Sequence, residues 1–147
     1  MAVSPNIEVF NQVAARTFVR LYEAFPSPID LDPGLIGMDV VLEEKYAPDS
    51  AHHNSLVGST SDTIQYLIDE SFIRLTGGAQ DLSFRGFQGA VLTSKGFSLL
   101  QLTPESVDTS VDRRSYFERL KTATATGTKV VATEAIGALI ARLLAAG

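Results

Sequence analysis

The sequence predicts an α+β fold that is mainly α: a three-helix core with a two-stranded hairpin, followed by a C-terminal helical extension. Three observations carry this. Apolar residues recur at helical spacing in several separate segments, two short strand-like segments flank a glycine-bearing loop, and residues 115–147 return to helical periodicity after a polar stretch.

The first helix spans residues 5–25. Ile7, Phe10, Ala14, Phe18, Leu21 and Phe25 recur every three or four residues, with Glu8, Gln12, Arg16, Arg20 and Glu23 off that stripe. Ser4-Pro5 is a start signal, and Pro26 and Pro28 stop the helix because proline lacks an amide and restricts its predecessor. Ile29-Asp30-Leu31-Asp32 alternates as a short strand. Asp32-Pro33 repeats the start signal for a second helix, carried by Leu35, Ile36, Val40 and Val41 to about Tyr46.

Residues 47–58 read as a loop. A third helix then runs from Ser59 or Ser61 to about Ser71 on Ile64, Leu67, Ile68 and Phe72. Ile73 to Thr76 and Ala90 to Thr93 form the hairpin around a loop holding Gly77, Gly78, Gly86 and Gly89. A short helix covers residues 94–102. Residues 1–104 thus form the core domain, 105–114 a polar linker, and 115–147 a helical tail with a break near Gly127.

Residues 59–93 carry a family resemblance. "YLIDESFIRL" resembles the end of a third helix running into the first strand of a wing, and "LTSKG" the end of the second wing strand, with Thr93 capping the next helix. The order helix, strand, helix, helix, strand, wing, strand is similar to that of the winged-helix family over about residues 5–102. That resemblance implies DNA binding, with the third helix in the major groove and the wing on the backbone. The DNA-contact candidates it implies are Gln65 for base edges and Arg74, Arg85 and Lys95 for phosphates; Arg113, Arg114, Arg119 and Lys121 are further cations whose position the sequence does not fix.

Charge argues the other way. Twelve basic residues stand against seventeen acidic ones, a net charge of -5, and the third helix bears Asp62, Asp69 and Glu70 with no cation before Arg74. Phosphate contacts supply most non-specific affinity for nucleic acid, so DNA binding is expected to be weak or absent. The roughly dozen residues between the second and third helices also exceed the usual 3–4-residue turn.

No catalytic constellation stands out, and the chain is read as non-enzymatic, without metal or cofactor. His52 and His53 are adjacent, share no helical face and have no third histidine to join them. Asp30 and Asp32 read as a solvated carboxylate and a helix cap before an acid/base pair. The wing glycines match no phosphate-loop spacing. The absence of cysteine excludes disulfide and thiolate chemistry, and with no signal-like leader the chain is expected in the cytoplasm, with no membrane span.

The tail offers the other functional signal. Ile136, Leu139, Ile140, Leu143 and Leu144 form a broad apolar face, and Thr133, Gly137, Ala141 and Ala145 a ridge of small side chains that admits a close helix neighbour. Folding back on its own domain would bury that face. So would pairing with a second copy, which two-fold symmetry makes simple. The expectation is a homodimeric winged-helix regulatory or adaptor module acting through protein–protein contacts. The alternative is a DNA-binding transcriptional regulator.

Overall fold

The computed structural model describes residues 5–44, 50–76, 86–103, 114–125 and 129–146; the side chains of Pro5 and of residues 41–44, 50–57 and 129–134 fall outside that description. Within it the protein is mainly helical with one small antiparallel sheet. The elements are α1 (Pro5–Ala24), β1 (Ile29–Leu31), α2 (Pro33–Glu44), α3 (Ser50–Asp69), β2 (Ile73–Leu75), β3 (Phe87–Leu92), α4 (Ser94–Gln101), α5 (Tyr116–Ala125) and α6 (Lys129–Ala146).

Helix α1 is the centre. Its stripe was expected to leave one polar face in water, yet every residue from Gln12 to Phe18 is buried. α2, α3, α5, α6 and β3 all pack on it, so little of its middle section is left uncovered. Gln12 and Arg16 are therefore interior residues, against expectation. The Arg16 guanidinium donates to the Gln12 carbonyl at 3.3 Å and to the Gln12 side-chain oxygen, giving the buried cation polar company. Cover thins toward the start of the helix, where Phe10 is only half-buried and Ile7, expected in the core, is 45% exposed.

Asp32 caps α2, its carboxylate accepting from the amides of Gly34 at 2.8 Å and Leu35 at 3.4 Å. Ile36 and Val40 point into the core, whereas Leu35, read as part of the stripe, is exposed. The largest departure is α3, which begins at Ser50 and takes in most of the segment read as a loop. Thr60 and Thr63 are buried beside Ile64 and Leu67, so threonines hold places on the stripe that an apolar count does not register. The Thr63 hydroxyl donates to the Ser59 carbonyl at 2.8 Å, which removes the cost of burying it. Only residues 45–49 then separate α2 from α3, not about a dozen.

The sheet has three strands, order β1-β3-β2, rather than the two of a simple hairpin. Ile73, Arg74 and Leu75 of β2 face Leu92, Val91 and Ala90, while β1 pairs Ile29 with Ala90 and Leu31 with Phe87. The register shifts between these last two pairs, and there the Asp30 carboxylate accepts the Gly89 amide at 2.9 Å. Gly89 sits at φ +67, and a Cβ on it would collide with the Thr76 hydroxyl, so the bulge needs glycine. Phe87, read as loop, opens β3 instead, and Thr93 lies just beyond the strand.

α5 and α6 complete the same core. Tyr116, Leu120, Ala123, Ile136, Leu139, Ile140 and Leu143 are buried in one cluster with Val13, Phe18 and Leu67, and Leu144 packs against it. The tail's apolar face is thus covered by α1 and α5 of its own chain, which removes the reason for a second copy to cover it. A Cβ on Gly137 would lie 3.3 Å from the Asn11 side chain, so the close neighbour of that small residue is α1. Ala141 and Ala145 are exposed, and the Thr133 side chain and most of the 105–114 linker lie outside the described residues. Aromatic rings fasten α5 in place: Tyr22 stacks on Phe117 at 4.0 Å and on Phe97 at 5.4 Å, and Phe97 stacks on Phe25 at 4.0 Å. No described helix is long and apolar enough to cross a membrane.

Leu67 is fully buried where α3 meets this core. Leu67→Ala is expected to cost about 2–5 kcal/mol in a denaturant titration, as buried leucine truncations do. A cost under about 0.5 kcal/mol, the range of surface substitutions, would contradict the placement.

Candidate interaction face on the third helix

The outward face of α3 is set by how the helix ends. Ser71 adopts φ 66, its amide bonds the Ile68 carbonyl at 3.0 Å, and the Phe72 amide bonds the Leu67 carbonyl at 3.0 Å. This is the Schellman arrangement, formed here around a serine where glycine is usual, with buried Phe72 and Leu67 supplying its apolar contact. The chain leaves directly into β2.

The start of α4 secures the same corner. Thr93 caps α4 by accepting the Gly96 amide at 3.1 Å, while its hydroxyl donates to the Ser71 carbonyl at 2.6 Å and its amide bonds the Phe72 carbonyl at 3.1 Å. The expected capping role of Thr93 is therefore realised. A Cβ on Gly96 would run into the Phe72 carbonyl, so α4 approaches this turn as closely as only glycine allows. The Lys95 ammonium donates to the Glu70 carbonyl at 2.9 Å and lies 4.5 Å above the Phe72 ring.

These contacts give the candidate residues definite places. Lys95 is half-buried and engaged in holding the end of α3. Gln65 is exposed on α3, its amide bonded to Asp69 at 2.9 Å. Arg74 is exposed on β2, next to β3, and Arg85 lies outside the described residues. The cations on and just before α5 serve other neighbours: Lys121 pairs with Glu23 at 3.1 Å, Arg114 donates to Thr122 at 3.1 Å, and Arg119 donates to the Arg114 carbonyl at 3.2 Å. α5 packs mainly on α1, α4 and α6; Arg113 lies outside the described residues.

From residue 60 to the turn that ends α3, the exposed side chains are mainly acidic, with one amide and one aromatic ring: Asp62, Gln65, Tyr66, Asp69 and Glu70 are all exposed. No ion pair to Asp62, Asp69 or Glu70 is found among the described residues, whereas Asp39 and Glu23 each have a cation, Arg20 at 2.7 Å and Lys121 at 3.1 Å. Tyr66 is the residue that sequence reasoning passed over. An aromatic ring beside Ile64 and Leu67 reads as core, and only its four-residue spacing from Asp62 hints at the polar face. Its ring stands edge-on to Phe10, with centroids 5.5 Å apart and planes at 82°.

Asp30 and Asp32 each bond backbone amides in different places and form no acid/base pair. Among the described residues no group of three His, Asp or Glu side chains is placed to hold a metal, and the His52 and His53 side chains lie outside that set. Protein-family models, characterised proteins and solved structures give no match to the chain.

If Lys95 holds the end of α3, Lys95→Gln is expected to lower stability by about 0.5–1.5 kcal/mol, the usual worth of one hydrogen bond. Thermal or chemical denaturation measures this. A lysine kept only for phosphate contact would leave the unfolding midpoint unchanged.

Proposed function

We propose that the protein is a non-enzymatic winged-helix regulatory or adaptor module, cytoplasmic, whose third helix meets another protein and not a DNA groove. Element order supports the family reading: α1, β1, α2, α3 and β2–β3 follow the winged-helix sequence of elements. The single observation that carries the function is the exposed face of α3. In the family's docking geometry that face enters the major groove, and here it would bring Asp62, Asp69 and Glu70 toward phosphates with no cation alongside them on the helix. Self-association through α6 is not part of this reading, because the face that would drive it is spent within the chain.

The runner-up, a DNA-binding regulator, has two observations in its favour. The separation of α2 and α3 by residues 45–49 brings that connection close to helix-turn-helix length, and Arg74 is exposed on the strand entering the wing. It loses Lys95 as a free phosphate contact, since that ammonium is bound to Glu70.

Fluorescence anisotropy separates the two. Random duplex is expected to bind no tighter than about 10 μM at physiological salt, in the weak part of the non-specific range. Submicromolar binding with a steep salt dependence, abolished by Arg74→Ala with Arg85→Ala, would reverse the order of the readings.

A further inference from the structure

We infer that the exposed face of α3 docks a basic segment of a partner protein, seating an arginine or lysine on Tyr66 between Asp62 and Asp69. The inference deepens the proposed function and rests on its reading of α3 as a protein-facing helix.

The spacing builds the site. Asp62 lies four residues before Tyr66 and Asp69 three after it, so the three share one side of the helix, a carboxylate one turn away in each direction. Tyr66 is 46% exposed, a large aromatic surface to leave in water. The ring is not loose, because Phe10 of α1 meets it edge-on and is itself half-buried in the core. Ile7, 45% exposed, stands one turn before Phe10 on α1 and is a second apolar side chain left in water on that helix. Tyrosines held this way concentrate binding energy at protein interfaces.

Charge selects the occupant. A cation above an aromatic face is attracted by the ring, and flanking carboxylates take its N–H groups in charge-assisted hydrogen bonds. The bond from Gln65 to Asp69 already orients one of those carboxylates. Neither Asp62 nor Asp69 has an ion pair among the described residues, so a basic segment displaces no described cation there. A second copy of the chain fits poorly, since it brings a net charge of -5 of its own, and a nucleic acid is repelled outright.

The test uses the full-length chain and two fluorescent synthetic peptides, one an arginine–leucine–serine repeat and the other identical with glutamine for arginine. The arginine peptide is expected to bind at least about tenfold more tightly than the glutamine peptide. Tyr66→Ala, and separately Asp62→Asn with Asp69→Asn, should each weaken it about tenfold. Glu23→Gln with Glu118→Gln removes the same charge from the α1–α5 side and should change binding less than about twofold. All these side chains are exposed, and an unchanged circular dichroism spectrum confirms that each variant folds.

Three outcomes overturn the inference: no binding of the arginine peptide, binding indifferent to Tyr66→Ala, or equal losses in the two charge-matched double variants. If duplex DNA also fails to bind, the regulatory-module reading survives such a failure. Tight duplex binding abolished by Arg74→Ala with Arg85→Ala would instead overturn that reading and this inference together.

Discussion

The rest of the structure depends on burying α1 all the way round. From Gln12 to Phe18 every residue of this helix is buried, and two of them, Gln12 and Arg16, are polar enough to need each other as partners. A helix with a single apolar face can lie on a core; one enclosed on every side must be surrounded. Three core helices and a small sheet do not suffice for that, and α5 and α6 supply the missing wall. Ala14 and Ala15 are small side chains at its buried centre, while the Phe18 ring meets Phe72 edge-on and Leu21 is fully enclosed.

That enclosure determines which surfaces remain for function. The tail looked like an arm offered to a partner, yet its leucines and isoleucines line the interior, and its apolar surplus is the counterpart of α1's need for cover. α3 is held on its inner side by Thr60, Thr63, Ile64 and Leu67, and its end is fixed by Ser71, Thr93 and Lys95. With the inner side and the end of the helix so engaged, Asp62, Tyr66 and Asp69 face outward as a set. A rigid helix face places recognition groups more precisely than a loop does, which suits a docking role.

Much of the architecture is legible in the sequence because its signals are local. Proline start and stop signals delimit α1, Asp32 and Thr93 announce the helices they cap, and the segments read as hairpin strands, 73–76 and 90–93, hold β2 and the end of β3. The features that are not legible lack a local signal or depend on contacts between distant segments. The start of α3 is hidden because its first residues, Ser50-Ala51-His52-His53-Asn54-Ser55, hold no large apolar side chain to begin a helical stripe. Nothing local in Ile29-Asp30-Leu31 says that β1 will pair with β3, nor that Arg16 will be roofed by other helices. At the candidate site the acidic residues of α3 are plain from composition. Tyr66 is not, because an aromatic residue becomes informative only when seen to be exposed.

The claim that the tail belongs to the core within one molecule is tested most directly by native-state amide hydrogen exchange at two protein concentrations. If α6 is a wall around α1, the amides of Ile136–Leu143 should exchange on the same slow, global-unfolding timescale as those of Val13–Phe18, unchanged by roughly hundredfold dilution. Rapid exchange confined to α6, or protection there that fades on dilution while α1 stays protected, would contradict the account and return the tail to the role of a separable or intermolecular arm.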